Sequence, residues 1–417
     1  MRRIYLIGAF LIGITFGVVL KFDFPVHLFA SADNLYKQTE LFTEALLIIR
    51  DNYVEEVSTK ELIENAIKGM VAKLDPFSSF LLPDESKIMD SEAKGEFGGL
   101  GIKIAIRDEV LTVITPLPGT PAMKAGILPG DKIIKIEGES TKGITLMEAV
   151  KKLRGKPGTK VKITILREGE EPFDVEITRD IIKIESVPPY KAKILEDGIG
   201  YIKITEFNKH TPEDFEKVYK ELEEKGMKAL ILDLRNNPGG LLNSAVEICK
   251  ELLPPNKLIV YTKGRGLREE RKFYSDSKWR HEPIPLVLLI NKGSASGSEI
   301  VAGAIKDWRR GVLVGEKTFG KASVQSIIPL KEGYSLRLTV AHYYTPKGNL
   351  IHEKGIEPDI KIEIPKDEWV KLIQQEEEIF GLSEEEKKKR EKEKIPDRQL
   401  QAAINLLKAQ AIFSSKD

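Results

Sequence analysis

The period of the apolar positions changes several times along the chain, and each change predicts a different kind of element. From Leu35 to about Lys73 they recur at helical spacing, as Leu41, Leu46 and Ile49 and then Leu62, Ile67 and Met70. The spacing predicts a helical pair, closed by the Asp-Pro turn of "LDPFSSF" from Leu74. Between Gly95 and Asp180 the period falls to two: "IKIAI", "LTVIT", "DKIIKIEG", "VKITILR" and "FDVEIT" read as short strands between Gly and Pro turns. One helix interrupts them, "TLMEAVKKL", with Leu146, Val150 and Leu153 on one face. From Gly198 strands and helices alternate, and the continuous apolar runs "ALILDL" and "PLVLLI" suit strands buried on both faces. After Pro365 the chain turns to Glu and Lys. Glu376 to Lys394 reads as a solvated helix, with Ser383 and Glu386 spaced as a capping box. Leu400, Ile404 and Leu407 then form a stripe expected to pack on the core or on a second subunit.

These patterns predict an α/β core, a mixed sheet with covering helices, carrying an inserted β-rich module and helical N- and C-terminal segments. The expected divisions are residues 1–32, 33–94, 95–181, 182–365 and 366–417. In the first, Arg2 and Arg3 precede an apolar block from Ile4 to Leu20, the pattern of a secretory signal or signal anchor. Ala30-Ser31-Ala32 offers a cleavage site before Asp33, so the chain is expected to be exported to the cell envelope.

Charge and cysteine content narrow the chemistry. Lys and Arg total 65 against 64 acids, which gives no electrostatic case for nucleic acid. Cys249 is the only cysteine, so a disulfide within the chain and a cysteine-based zinc cage are excluded. Its setting in "AVEICKEL" predicts a small buried residue. The five histidines form no H-E-x-x-H pair, which disfavours a zinc protease.

Three stretches of the core carry unusual residue choices. "DLRNNPGGLL" follows a buried strand, and its Pro238-Gly239-Gly240 turn exposes backbone N–H groups that can face an oxyanion, or simply turn the chain. "NKGSASGSEIVAGAIKDW" crowds small residues between a strand and a helix. There Ser296 and Glu299 form either a plain capping box or a serine presented at a helix N-terminus. "LVGEKTFGKASVQS" has the glycine and lysine spacing of a phosphate loop from Gly315 to Lys321. Ala322 replaces the hydroxyl that would hold magnesium, and a strand follows where a helix is needed. In an apolar pocket, Lys321 would instead lose its proton readily and serve as a base.

"GSASGSEIVAGAIKDWRRGVLVGEKTFGKASVQ" resembles the active-site region of the C-terminal processing peptidases, or tail-specific proteases. The resemblance implies Ser296 as nucleophile, Lys321 as general base and Gln325 as its support. It also implies Asp307 as a supporting acid and the Gly239 and Gly297 amides as the oxyanion hole. Residues 95 to 180 resemble the family's PDZ domain, with Gly98, Gly99, Leu100, Gly101 and Ile102 as the loop that binds a peptide C-terminus. Two positions depart from the family pattern: Gly297 stands where Ala is more usual, and Ala322 where Gly is.

The leading reading is therefore an exported serine endopeptidase that captures the free, largely apolar C-terminus of protein substrates. It needs no cofactor or metal. Arg154, in "KLRGKPG", is a candidate relay between PDZ module and core. A homodimer through the terminal helices and an adaptor are candidate partners. A non-catalytic PDZ scaffold and a nucleotide-binding enzyme are the alternatives.

Overall fold

The protein is described here from a computed structural model. It describes residues 27–107, 109–117, 119–188, 191–265, 270–365, 367–369, 371–372, 375 and 395–414. The apolar block from Ile4 to Leu20 and the Ser383–Glu386 capping box lie outside the described residues. Among the described residues no helix is long and apolar enough to cross a membrane. The chain divides into two compact units, Met1–Leu74 and Asp75–Asp417.

In the first unit, α1 (His27–Asn52) and α2 (Thr59–Ala72) form the expected helical pair. Leu35, Leu41, Phe42 and Ile48 of α1 are exposed.

The second unit opens with a difference from the expected turn: Ser79–Leu81 is a strand, β1, followed by α3 (Pro83–Lys94). The β-rich module comprises β2 (Glu96–Gly99), β3 (Ile102–Arg107), β4 (Val110–Pro116), α4 (Pro121–Lys124), β5 (Lys132–Ile136), β6 (Glu139–Ser140), α5 (Leu146–Leu153), β7 (Lys160–Leu166), β8 (Phe173–Thr178) and β9 (Asp180–Lys183). Its main sheet runs β3-β4-β5-β7-β8, so β3 is an edge strand, and β2 pairs with β9 where the chain enters and leaves. The alternating residues Ile133, Val161, Ile163 and Ile165 fill its core. Thr145 caps α5 with Glu148, but the buried face of α5 is Ala149 and Leu153. Leu146, expected to pack, is 43% exposed. The helix lies beside β3.

The α/β core follows, as β10 (Lys193–Ile194), β11 (Ile199–Lys203), α6 (Thr211–Glu224), β12 (Ala229–Asp233), α7 (Leu242–Leu252), β13 (Leu258–Gly264), β14 (Arg271–Tyr274), β15 (Leu286–Ile290), α8 (Gly297–Asp307), β16 (Val312–Gly315), β17 (Ser323–Pro329), β18 (Ser335–Tyr344), β19 (Ile360–Lys361) and α9 (Arg398–Ser414). One sheet runs β10-β11-β12-β15-β16-β19, parallel except for β10. Every residue of β12 and β15 is buried, because helices cover both faces. Side chains of α6, α7 and α8 pack on Ile202, Leu232 and Leu288. Ala403, Ile404 and Leu407 of α9 pack on Tyr201, Ile231 and Leu289. The C-terminal stripe thus covers this chain's own sheet. Cys249 is fully buried in α7, and burial pushes its thiol well up.

An antiparallel sheet, β1-β18-β13-β14, carries β17 on the other side of β18. Among the described residues β17 pairs only with β18, which leaves its outer edge without a strand partner there.

Leu407 is 4% exposed. Leu407→Ala is expected to cost about 2–5 kcal/mol, read as a lower guanidinium midpoint. An unchanged midpoint would separate α9 from core stability.

Candidate active site

The turns after β12, β15 and β16, three adjacent parallel strands, converge at the carboxyl edge of the sheet, where open α/β sheets place their ligands. After β15 the chain makes a tight bend. Ser294 Oγ donates to Leu234 O at 2.8 Å, and the Ala295 N–H donates to Asn237 O at 3.0 Å. The bend is thereby clamped to the turn after β12. Ser296 then takes φ 51° and ψ −110°, outside the regions an L-residue prefers, directly before α8. Such a conformation costs about 1–3 kcal/mol and persists only where neighbours impose it.

Glu299 is the principal neighbour. Its side chain is fully buried, and both oxygens are saturated by donors. Oε2 accepts the Ser296 N–H at 2.9 Å and the Lys321 N–H at 2.8 Å. Oε1 accepts the Thr318 hydroxyl at 2.6 Å and the Gly320 N–H at 2.7 Å. Burial pushes the carboxyl up from its ordinary value, while these bonds to the charged form oppose the shift. The amides that resemble a phosphate loop therefore do hold an anion, and the anion is this chain's own. That occupancy, together with β17 in place of a helix, disposes of the nucleotide reading. The acidic half of the Ser296–Glu299 capping box is formed as well, so the cap and the presented serine are one arrangement.

Lys321 and Ser296 line the same cavity, of about 450 Å³. The ammonium lies 4.6 Å from the centre of the Phe77 ring, and the structure gives it no hydrogen bond to the Ser296 hydroxyl. Burial lowers its pKa from the ordinary 10.5, and the Arg337 guanidinium lowers it further, against the pull of Asp75 and Glu299. Tyr343, buried behind the site, donates to Ser296 O at 3.0 Å and contacts Lys321 O. Gln325 lines the cavity too, but its Nε2 donates to Ser323 Oγ at 2.7 Å and to Thr339 Oγ1 at 3.3 Å, not to the lysine.

The glycine turn is packed against the serine. Gly239 has φ +94°, and a Cβ there would fall 2.6 Å from Ala295 O, Gly297 N and Ser296 Cβ. Its N–H, expected to face the oxyanion, donates instead to Asn237 Oδ1 at 2.8 Å. The Asn237 side chain satisfies that donor locally. The Gly297 N–H, at the start of α8, has no acceptor among the described residues. A Cβ on Gly297 would lie 3.0 Å from the Phe207 ring, so an alanine there would require that ring to give by a few tenths of an ångström.

Behind this turn lies an ion pair. Arg235, 2% exposed, donates to Asp233 at 2.7 Å, to Asp397 at 3.0 Å and to Gln399 at 3.1 Å. Burial alone would raise the Asp233 carboxyl; Arg235, Lys203 and a hydrogen bond from Tyr201 outweigh it and hold the pKa at about 2.

Other expected residues lie elsewhere. Asp307 ends α8, about 15 Å along the helix axis from Gly297. Its Oδ2 accepts the Lys347 N–H at 2.8 Å, so it braces the turn after β18 and does not reach the lysine. Gly98 and Gly99 belong to β2 and pair with Ile181 and Asp180. Only Leu100 and Gly101 remain as the turn before β3, which Ile102 begins. Arg154 lies outside the cavity, its guanidinium 4.2 Å from the centre of the Phe97 ring. The sequence reading missed Phe77, Arg337 and Tyr343. Phe77 sits in the "LDPFSSF" segment that reads as a simple turn, and no periodic signal marks the others.

The family model for Peptidase family S41 matches residues 198–362, that for the PDZ domain residues 89–166, and that for the activating protease CtpB N-terminal domain residues 28–85. A carboxy-terminal-processing protease of Bartonella bacilliformis is 43% identical over 81% of this chain and 78% of its own. The chain belongs to peptidase family S41. A second S41 relative, carboxy-terminal processing protease CtpB of Bacillus subtilis, is 37% identical over 79% of this chain and 68% of its own. The solved structure of a photosystem II D1 C-terminal processing protease is 29% identical, with TM-score 0.46, covering 78% of this chain and 92% of that one. This S41 member is a serine-type carboxy-terminal processing protease with a PDZ domain.

Glu299→Gln would turn an amide NH2 toward two existing donors. The expected cost is about 2–4 kcal/mol of stability, together with a more than tenfold loss of peptide hydrolysis. Wild-type melting and wild-type rate in that variant would dismiss Glu299 as the organiser of the site.

Proposed function

We propose that Ser296 is the nucleophile and Lys321 the general base of an exported endopeptidase acting near the free C-terminus of its substrates. One observation carries the reading: a strained serine at a helix N-terminus and a half-buried lysine with a lowered pKa line one cavity beside a glycine turn. Lys321, uncharged, takes the Ser296 proton as Oγ attacks the scissile carbonyl. It returns that proton to the leaving amine as the acyl-enzyme forms, and the acyl-enzyme is then hydrolysed by water. The Gly297 N–H and the α8 dipole favour the oxyanion. A second donor requires the Gly239 amide to leave Asn237, and a productive dyad requires Lys321 to swing off Phe77 toward the serine. The described arrangement therefore suits a resting site, with Gln325 able to meet the amine only after repositioning.

The PDZ module supplies the substrate end. β3 is an edge strand beside α5, and Ile102 and Ile104 on the one and the exposed Leu146 on the other are apolar. That combination favours an apolar tail added as a strand, with its carboxylate at the Leu100–Gly101 turn. Arg154 is the proposed relay, because its contact with Phe97 links the end of α5 to the strand leading into that turn.

Ser296→Ala and Lys321→Ala are each expected to abolish cleavage of a peptide with an apolar free C-terminus while leaving circular dichroism unchanged. Lys321→Arg, which keeps length and charge but cannot lose a proton near neutral pH, should be equally inactive. In the wild type, kcat/KM should rise with pH as the ammonium deprotonates, with a midpoint below 10.5. Full activity in any of the three variants would overturn the assignment.

The exposed apolar side chains of α1 support a homodimer, since a second copy would remove them from water. Sedimentation of the chain starting at residue 33 should show a concentration-dependent dimer, weakened by Leu41→Glu. N-terminal sequencing of protein from the cell envelope tests the export.

A further inference from the structure

A second cavity, of about 660 Å³, adjoins the first, and Leu242 and Val324 line both. Its remaining walls come from Asn243 of α7, Thr262 of β13 and residues of β14, β17 and β18, with Phe273, Ile328 and Val340 among them. It carries two cations, Arg271 and Lys272, and no acidic side chain. Lys272 is engaged by Glu270 at 3.3 Å. Arg271, exposed at the start of the edge strand β14, has no ion pair among the described residues.

Met89 and Ala93, on the helix that leads into the PDZ module, border the catalytic cavity. Ser296 and Lys321 stand in it, and the second cavity opens beyond Leu242 and Val324. A substrate whose C-terminus is held on the PDZ side lays its acyl portion, upstream of the scissile bond, toward β14. β17 lies between the two cavities, with Ser323, Gln325 and Ile327 lining the first and Ser326 and Ile328 the second, so a peptide paired to its outer edge would turn alternate side chains toward each.

We propose that this second cavity is the binding site for the acyl side of the substrate, and that Arg271 selects an acidic side chain a few residues upstream of the cleavage point. The apolar walls hold the intervening side chains, and the guanidinium meets the carboxylate at the rim. The inference rests on Ser296 being the nucleophile, since that sets which side of the peptide reaches β14. It adds to that reading the chemical class of the segment left on the product.

The test uses the full chain and a set of peptides ending in an apolar free C-terminus, with Glu, Gln or Lys placed in turn three to six residues before the cleavage point. Glu is expected to be preferred over Gln by about fivefold at one or two of these positions, mostly through KM and less so in high salt. Arg271→Gln should flatten that ratio, and Arg271→Glu should invert it toward Lys. Because the ratio is taken within each variant, a general change in activity cancels. Binding of the same peptides to the Ser296→Ala chain, followed by fluorescence anisotropy, reads the groove without any cleavage. Equal cleavage and equal binding of the Glu, Gln and Lys peptides at every position would overturn the proposal, as would a preference for Glu that survives Arg271→Glu. If the wild type cleaves none of the peptides while the binding preference holds and inverts, the nucleophile and acyl-side assignments fail together and only a peptide-binding groove selective through Arg271 stands.

Discussion

The buried carboxylate of Glu299 holds the serine turn and the lysine loop in one frame. A charge taken out of water is tolerated only where its lone pairs find donors, and here the amides of Ser296, Gly320 and Lys321 and the Thr318 hydroxyl fill that role. The bend before α8 and the loop after β16 come from separate strands. Their common attachment to one side chain keeps both facing the same cavity. It also supplies the local constraint that the strained backbone of Ser296 requires. The glycine-rich loop around Lys321 thus has an electrostatic logic close to that of a phosphate loop, with the ligand built in.

A second buried charge network supports the frame from below. Asp233 and Arg235 sit at the end of β12, immediately before the glycine turn, and reach Asp397 and Gln399 at the start of α9. The C-terminal helix is therefore joined to the catalytic turn by charge-assisted hydrogen bonds as well as by its apolar face. Breaking one partner of such a network would leave a buried charge unpaired, which is why distant segments of the chain bear on the geometry at Gly239.

The described arrangement is organised yet unengaged. Lys321 rests against Phe77, and the Gly239 amide is turned to Asn237. In the proposed mechanism Lys321 would leave Phe77 and the Gly239 amide would leave Asn237. The cavity that holds Ser296 and Lys321 shares Leu242 and Val324 with the cavity beside β14, so the two are contiguous.

Much of the architecture was legible from local pattern. Continuous apolar runs marked β12 and β15 because helices cover both faces, and period-two strands marked the PDZ module. The serine and lysine stretches stood out through their resemblance to a known family, since taken alone Ser296–Glu299 reads equally as a capping box and Lys321 as a surface charge. Local pattern also limited the reading. Asp307 looked like a member of the site, yet helical rise carries it to the far end of α8. Leu146 looked like core, yet it is exposed. The sequence by itself determined element types, the carboxyl-end placement of the site and the residue types available there, since period and turn chemistry depend on near neighbours. Only the tertiary structure decided that Glu299 bonds both loops, that Phe77 faces the lysine and that the Gly239 amide points inward. Those outcomes depend on which donors and acceptors the parallel strand order brings within 3 Å, and no short stretch of chain contains that information.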